Sequence, residues 1–373
     1  MMLSDDYDYD LPPDAVAQTP AEPRDSARLL VLHRRDGRIA FHVFRDLPGL
    51  LRDDDVLVVN DSRVLPARLR GVRAPSGGAV EVLLLHRLPT HETTGLDRDD
   101  YATGTADEGG EEDAAVERWV ALVKPGRRIR PGEDLTFGDG VLTAVVTARH
   151  EGGERVVELR ARAGSVRDAL ARVGATPLPP YIRVPLADPE RYQTVYARAE
   201  GSVAAPTAGL HITQDTLDGL AARGIPVYHV TLHVGAGTFK PMAEGSDPAA
   251  HVMHGEWAAL DRATADALTR AKVEGRRIVA VGTTTVRVLE SAAALSPPGT
   301  IAPFEGWTDI FIRPGHVFRA VDALVTNFHL PRSTLLLLVS ALAGKDNIER
   351  AYAAALAEHL RFYSFGDAML IDD

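Results

Sequence analysis

The stretch "RRIVAVGTTTVRVLESAAAL" (residues 276–295) decides the fold class. It indicates an apolar strand that ends at Gly282, a polar loop of threonines and then a helix. The same order recurs at 322–344, where "DALVTN" passes through "FHLPR" into the apolar "STLLLLVSALAG", and the strand "IPVYHVTLHV" (225–234) also leads into a polar loop. This alternation predicts an α/β domain with a mixed or parallel sheet.

Residues 63–155 show a different pattern, in which short strands are separated by Gly-Gly, Pro-Gly and Asp-Gly turns. Such spacing favours a small antiparallel barrel or sandwich. We predict a β-barrel domain at 63–155, inserted into a discontinuous α/β catalytic domain formed by 1–62 and 156–373. The first part of that α/β domain would contain a hairpin around Asp36-Gly37 and a buried strand, "DVLVVN", that ends at Asn60.

Composition excludes several classes of protein. The chain has 373 residues, 45% of them apolar, which is enough for two or three domains with a sizeable core. It has no cysteine, so disulfides, an Fe–S cluster and a thiolate nucleophile are ruled out. The acidic start "MMLSDDYDYDLPPD" does not resemble a signal peptide, and no apolar run has membrane-spanning length. We therefore expect a cytoplasmic protein that does not bind a membrane.

The negative charge is concentrated in one segment. Residues 90–116 carry nine acidic residues and one arginine, which account for −8 of the net charge of −11. We expect this segment to be a disordered loop between two strands. Arginines flank it on both sides, and they indicate either a basic patch that suits RNA or ordinary surface charge.

Polar residues follow the predicted strands, at the sheet edge where ligands bind in α/β proteins. They are His233, Gly235 and Gly237 after one strand, Gly282 to Thr285 after the next, and Asn327 with His329 after the last. The hydroxyls and helix start of "VGTTTVR" suit a carboxylate or phosphate, whereas helix capping explains only one of the three threonines. A loop histidine is hard to explain by packing, so we favour a functional role for His329.

A run of small residues, "VAAPTAGLHIT" (203–213), positions another histidine. Thr213 is predicted to cap a helix that ends at Gly224, with Ile212 packed against Leu217. His211 would then lie just outside the helix N-terminus, and the small residues before it would let the backbone approach a ligand.

Three other motifs have more than one interpretation. "LHVGAGTFK" lacks the third glycine of a dinucleotide-binding loop, so its glycines serve a close ligand approach or a tight turn. "MHGE" (253–256) with His251 is a weak metal-site pattern. Asp309, which the pattern places at the start of a strand, is either a carboxylate base or a turn residue.

Eight motifs, in order along nearly the whole chain, resemble those of the S-adenosylmethionine:tRNA ribosyltransferase-isomerase family of queuosine biosynthesis. They are "NDSRVLPARL" (60–69), "VAAPTAGLHIT" (203–213), "TLHVGAGTF" (231–239), "MHGE" (253–256), "VGTTTVR" (281–287), "GWTDIFIRPG" (306–315), "TNFHLPRSTLLLL" (326–338) and "FGDAML" (365–370). The chain departs from the family pattern at Ile212, Thr285 and Phe365, where Phe, Ser and Tyr are usual, and in the acidic segment.

The resemblance implies a reaction and its substrates. The family transfers the ribosyl part of S-adenosylmethionine, a co-substrate, to 7-aminomethyl-7-deazaguanine at the tRNA wobble position. The sugar is rearranged, which gives epoxyqueuosine in tRNA and releases adenine and methionine. This chemistry needs a base for a proton beside the sulfonium and an acid for the departure of adenine, and it needs no metal. The expected partner is tRNA carrying that base, bound by a monomer.

The resemblance also implies roles for particular residues. His211 and His233 would transfer protons, and Asp309 or His329 would orient or assist them. The substrate-binding residues would be Arg63, Thr207, Gly209, Gly235, Gly237, Thr284, Arg287 and Asn327. Among these, Thr284 with Arg287 would hold the methionine carboxylate or a phosphate.

Two other functions remain open on the residues alone. A methyltransferase using S-adenosylmethionine would also be α/β, but its glycine-rich loop and ribose-binding acid are not evident. A noncatalytic RNA-binding module would explain the barrel and its arginines, but it would leave the polar strand ends unexplained. Methyl transfer would leave S-adenosylhomocysteine, and a binding module would not consume the co-substrate, so both are distinguishable by product analysis.

Overall fold

The computed structural model describes residues 3–74, 76–88, 114–126, 128–149, 153–235 and 242–373. Its strands, in chain order, are β1 (Arg28–His33), β2 (Ile39–Val43), β3 (Val56–Asn60), β4 (Ser62–Val64), β5 (Arg68–Arg73), β6 (Ala79–Leu88), β7 (Val116–Lys124), β8 (Asp134–Phe137), β9 (Leu142–Arg149), β10 (Glu154–Ala161), β11 (Gly174–Ala175), β12 (Ala199–Ser202), β13 (Val227–Leu232), β14 (Glu256–Leu260), β15 (Ile278–Val281), β16 (Phe304–Thr308), β17 (Ala323–Asn327) and β18 (Ala368–Asp372). Its α-helices are α1 (Leu47–Leu50), α2 (Val166–Val173), α3 (Gln214–Ala222), α4 (Arg262–Val273), α5 (Thr283–Ala294), α6 (Thr334–Ala343) and α7 (Lys345–Ala357).

The chain forms two compact units. The first comprises Met1–Arg63, Pro179–Ala199 and Ala205–Asp373, and the second comprises Val64–Leu178 with Glu200–Ala204. Residues 156–178, which we assigned to the α/β domain, lie in the second unit. The reason is that β10 pairs with both β7 and β9, and α2 packs into the same apolar core.

The first unit contains a nine-stranded mixed sheet in the order β16-β14-β13-β3-β15-β17-β18-β1-β2. The four neighbours β13, β3, β15 and β17 are parallel to one another. Three of these, β3, β15 and β17, are buried along their whole length, as expected for parallel strands covered on both faces. The predicted α/β fold with a mixed sheet is confirmed.

Local sequence signals fix the ends of the helices in this unit. Ser333 accepts a hydrogen bond from the Leu336 amide at the start of α6, and Gly344, with φ +84°, ends that helix. Thr213 caps α3 by accepting from the Thr216 amide, and Ile212 is fully buried in the core beside it. The Thr213 cap agrees with the sequence prediction.

The second unit contains a closed antiparallel barrel. Its strands follow the order β5-β6-β7-β10-β9-β8, and β8 pairs again with β5, while β11 adds to β5. Inward-facing apolar residues such as Leu69, Trp119, Phe137 and Leu159 fill the interior. The predicted inserted β-barrel is confirmed, and the acidic segment at 90–116 lies outside the described residues as far as residue 113.

Candidate functional site

The carboxyl ends of the four parallel strands meet at one edge of the sheet. Val230 of β13 is aligned with Asn60 of β3, and Val281 of β15 is aligned with Val59 and Val325. A pocket lies at this edge, within the first unit. Its lining includes Tyr181, Thr207, Val234, Gly282, Thr283, Thr284, Asn327, Phe328, His329, Ser333, Tyr363 and Ser364. Four of the predicted site residues, Thr207, Thr284, Asn327 and His329, therefore share one pocket.

Asn327, the last residue of β17, connects three parts of this site. Its side-chain nitrogen donates to His211 Nε2 at 3.2 Å and to the Tyr363 carbonyl at 3.1 Å. Its side-chain oxygen accepts from the Thr207 hydroxyl at 3.2 Å. The predicted residues Thr207, His211 and Asn327 are thus joined in one hydrogen-bonded group.

His211 ends a short 3₁₀ helix (Thr207–His211) and is 4% exposed. Its ring lies 5.0 Å from the ring of Phe44, in the apolar core. Burial lowers the pKa of His211 to about 4, although a hydrogen bond with the main chain of Arg24 acts in the opposite direction. The imidazole is therefore neutral at pH 7.

His329 is held through both its side chain and its backbone. Its Nε2 is hydrogen-bonded to Thr326 Oγ1 at 2.9 Å. The Tyr352 hydroxyl accepts from its amide at 2.9 Å, and the Tyr9 hydroxyl donates to its carbonyl at 2.5 Å. Burial lowers the pKa of His329 to about 3, so this imidazole is also neutral.

His233 lies just beyond β13 in different surroundings from His211. Its amide donates to the Trp257 carbonyl, and its ring stacks on the Trp257 ring with centroids 5.2 Å apart. Burial lowers its pKa to about 4, and the nearby Asp61 opposes that shift. The buried Nδ1 has no hydrogen-bond partner among the residues that the structure describes. His233 is not among the residues that line the pocket described above.

The N-terminus of α5 opens on the pocket. Gly282 precedes the helix with φ +87°, a conformation that favours glycine, and Thr283 and Thr284 line the pocket beside it. The Thr284 hydroxyl accepts from the side-chain amide of Asn60 at 3.1 Å, and the Thr285 hydroxyl donates back to the Val281 carbonyl. The first amides of a helix lack partners within it, so this end favours an anionic group.

The contacts of Arg287 differ from those that we expected. It forms a buried ion pair with Glu256 of the "MHGE" motif and donates to the Thr308 carbonyl at 3.1 Å. The other oxygen of the Glu256 carboxylate accepts from the Gly235 amide at 2.7 Å. These contacts fix the end of β13 against α5, so the geometry makes Arg287 and Gly235 parts of the scaffold.

The other predicted residues are spread more widely. Arg63 pairs with Glu190 at 2.5 Å, and Gly209 lies against Tyr196. Asp309 is exposed and follows β16, whereas we placed it at the start of a strand, because the strand pattern ends at Thr308. Gly237 lies outside the described residues.

Sequence patterns missed the aromatic wall of the pocket. The rings of Tyr181 and Tyr363 are 4.9 Å apart, and the Tyr181 hydroxyl is hydrogen-bonded to Ser364 at 2.7 Å. Tyr363 has a φ of +72°, which is unusual for a residue with a side chain. The only sequence signal for Tyr363 was its position two residues before the "FGDAML" motif.

Some of the barrel arginines, which we considered as an RNA-binding patch, form ion pairs within the barrel. Arg68 lies 3.0 Å from Glu81, and Arg87 lies 3.5 Å from Glu117. Arg73 pairs with Glu133. These contacts reduce the positive charge that this group of arginines presents.

The described part of the chain has neither a metal-binding group nor a membrane-spanning helix. No group of three or more His, Cys, Asp or Glu side chains there is arranged to hold a metal ion. The same is true of the side chains in the "MHGE" motif. None of the described helices is both long enough and apolar enough to cross a membrane.

A pocket at the carboxyl edge of a parallel sheet, with neutral imidazoles and a helix N-terminus, defines an α/β enzyme. Comparisons with known proteins identify the family. The profile of the family described as queuosine biosynthesis protein matches residues 4–371. The chain belongs to this family, and it is a transferase and isomerase. The resemblance found in the sequence is therefore confirmed.

Individual relatives match over the full chain. The S-adenosylmethionine:tRNA ribosyltransferase-isomerase of Symbiobacterium thermophilum is 53% identical over 371 residues, covering 100% of each protein. The protein of the same name from Moorella thermoacetica is 49% identical and covers 99% of this chain and 100% of its own. A crystal structure of S-adenosylmethionine tRNA ribosyltransferase from Thermotoga maritima is similar with a TM-score of 0.52, at 35% identity and coverage of 98% and 99%.

Proposed function

We propose that this enzyme transfers the ribosyl moiety of S-adenosylmethionine to 7-aminomethyl-7-deazaguanine at the tRNA wobble position and isomerises it. The products are epoxyqueuosine in tRNA, adenine and methionine. One observation carries the proposal: four residues from three separate family motifs, Thr207, Thr284, Asn327 and His329, line the same pocket. Relatives named for this reaction match the whole chain, which supports the same assignment.

The pocket offers suitable surroundings for each part of the co-substrate. The open amides of α5 and the Thr284 hydroxyl suit the methionine carboxylate. The rings of Tyr181 and Tyr363 offer faces on which a purine can stack. Arg287 does not take the carboxylate in this proposal, because its guanidinium is paired with Glu256.

The low pKa values of the buried histidines support a neutral imidazole as the first proton acceptor in this proposal. His211 and His329 are neutral at pH 7, so either can accept the proton beside the sulfonium. The imidazolium formed in this way is a stronger acid than an ordinary one, because burial disfavours its charge. The same group can then give the proton to the departing adenine, so no second acid is required.

His233 and Asp309 have supporting roles in the proposal. The unpartnered Nδ1 of His233 suits a hydrogen bond to the substrate, and exposed Asp309 can act on the tRNA side of the reaction. Arg63, with its side chain 31% exposed, can contact tRNA by exchanging Glu190 for a phosphate. The proposal includes a monomeric enzyme, and a tRNA substrate supports a cytoplasmic location.

The test is an assay of both products. Purified enzyme is incubated with S-adenosylmethionine and tRNA carrying 7-aminomethyl-7-deazaguanine, and adenine and the digested nucleosides are measured by mass spectrometry. We expect equal amounts of adenine and epoxyqueuosine. Methylated nucleoside with S-adenosylhomocysteine would show a methyltransferase instead, and bound tRNA without turnover would show a binding module.

A pair of variants tests the role of His211. His211→Ala is expected to lower turnover by about 10²-fold, the usual contribution of a positioned acid or base. His254→Ala, at an exposed position, is the matched control. Near-normal turnover by a folded His211→Ala enzyme would contradict the assignment.

A further inference from the structure

A second cavity lies in the first unit, away from the pocket described above. It has a volume of about 200 Å³ and is enclosed by the N-terminal segment 6–10 and by helices α6 and α7. Leu336, Ile348 and Leu356 make it apolar, and the rings of Tyr7, Tyr9 and Tyr352 also line it. None of the residues predicted for the reaction lies in this cavity.

One polar group inside the cavity lacks a partner. Ser340 lines it from α6 and is 3% exposed. Its hydroxyl makes no hydrogen bond to any residue that the structure describes, although a helical serine commonly donates to the carbonyl four residues earlier. A buried hydroxyl without a partner destabilises the folded chain, and a ligand that supplies the missing hydrogen bond would remove that cost.

The charges that line the cavity have mostly one sign. The lining contains four carboxylates, Asp6, Asp8, Asp10 and Glu349, and one lysine, Lys345. Asp8 also lies 3.8 Å from Arg332, which is not part of the lining. The Lys345 ammonium lies 3.3 Å from Glu349 and 5.6 Å from the centre of the Tyr7 ring. The cavity therefore already holds one ammonium group of the chain against an aromatic face.

We propose that this cavity binds an alkylammonium ion, a positively charged amine on an aliphatic chain. The leucine and isoleucine side chains would cover the aliphatic part, and the tyrosine rings and carboxylates would stabilise the charge. The Ser340 hydroxyl would accept a hydrogen bond from the ammonium group. Neutral molecules and anions lack the charge that the carboxylates favour.

Three probes of different chemistry test the proposal by isothermal titration calorimetry. n-Hexylammonium is expected to bind the full-length enzyme at a single site. Ethylammonium should bind at least about tenfold more weakly, because it buries four fewer methylene groups. 1-Hexanol should also bind at least about tenfold more weakly, because it lacks the charge. No saturable binding of n-hexylammonium, or equal affinity for the three probes, would overturn the proposal.

Substitutions locate the binding site. The double variant Asp10→Asn/Glu349→Gln should weaken n-hexylammonium binding about fivefold, as expected for two exposed charges. The matched control Asp266→Asn/Glu274→Gln changes two exposed carboxylates on or beside α4 and should leave the affinity unchanged. Equal effects of the two double variants would show general charge attraction and would overturn the site.

Ser340→Ala gives a second, independent readout. Removing an unpartnered hydroxyl should raise the thermal midpoint of the free enzyme while weakening n-hexylammonium binding about fivefold. These opposite changes distinguish a ligand contact from a structural role, which would lower both. Unchanged affinity in this variant would contradict the position assigned to the ammonium group.

Discussion

Two glycines that we predicted to approach a ligand have different surroundings. A methyl group added at Gly209 would lie 2.1 Å from the Tyr196 hydroxyl and 3.0 Å from Thr194. At Gly235 the nearest atom would be 3.7 Å away, an ordinary van der Waals distance. Gly209 is therefore needed for packing inside the protein, whereas the described residues around Gly235 leave room for a methyl group.

This difference predicts opposite results for two alanine variants. Gly209→Ala should lower the free energy of unfolding by about 1–3 kcal/mol, the usual cost of overpacking a close contact. Gly235→Ala should change it by less than about 0.5 kcal/mol. Urea denaturation of both variants checks the prediction. Equal stability of the two would show that Tyr196 moves aside without cost.

Asn327 controls the charge of His211 in our description of the site. Asn327→Asp removes the donor that reaches His211 Nε2 and adds a negative charge nearby. We expect the His211 pKa to rise above its value of about 4. Turnover should then start to fall at a higher pH than in the unsubstituted enzyme, since a protonated imidazole cannot accept a proton.

NMR titration of the ¹⁵N-labelled imidazole measures the His211 pKa in this variant directly. Asn347→Asp, at a partly buried asparagine in α7, serves as the matched control. A His211 pKa that stays near 4 in Asn327→Asp would contradict the hydrogen bond on which the prediction depends.

At the scale of elements, the strand and helix patterns predicted the sheet and the edge at which the site lies. The runs that became β3, β15 and β17 are mostly apolar, and polar residues lie at their carboxyl ends or follow them directly. What could not be predicted were contacts between distant segments. Asn60, for example, bonds to both Leu232 and Thr284, and Tyr9 and Tyr352 hold the backbone of His329. No periodicity in the sequence relates these residues to one another.

The same kind of long-range contact joins three strands at the opposite ends from the site. Arg277, just before β15, donates to both carboxylate oxygens of Asp55 at 2.8 Å and also pairs with Asp372 of β18. Both acids are buried, and their proximity holds the Arg277 pKa above its usual value. The sequence alone gave no indication of this network.

Arg277→Leu leaves two buried carboxylates without their cation. We expect the free energy of unfolding to fall by about 3–5 kcal/mol, since breaking a buried ion pair costs far more than losing an exposed one. Arg38→Leu, which breaks an exposed pair with Asp36, should lower it far less, because solvent screens an exposed pair. Urea denaturation compares the two, and a similar small effect for both would contradict the burial of the network.

At the scale of the whole molecule, sequence patterns gave two structural units but misplaced one boundary. Turn-rich spacing indicated the barrel, whereas β10 and α2 follow its last clear turn signal and were assigned to the α/β part. β10 pairs with β7 on one side and with β9 on the other, as the closed barrel requires. This pairing can be recognised only when all six strands are aligned. Domain boundaries therefore depended on tertiary contacts that the local pattern does not contain.

The three buried histidines also make a prediction for the whole chain. The pKa is about 4 for His211 and His233 and about 3 for His329, against about 6.5 in the unfolded chain. Above pH 6.5 neither state binds these protons. As the pH falls below 6.5, the unfolded chain binds protons that the folded chain excludes, so stability is lost down to the folded pKa. Each histidine contributes up to about 1.4 kcal/mol per pH unit in this window.

Urea titrations at pH 7, 6 and 5, followed by tryptophan fluorescence, measure this slope. His329→Gln should reduce the loss of stability between pH 6 and pH 5 by about 1 kcal/mol, whatever its effect on stability at pH 7. The unsubstituted enzyme, titrated under the same conditions, gives the reference slope. An unchanged slope in His329→Gln would mean that His329 is protonated in the folded enzyme, and it would remove the base assigned to it in the reaction.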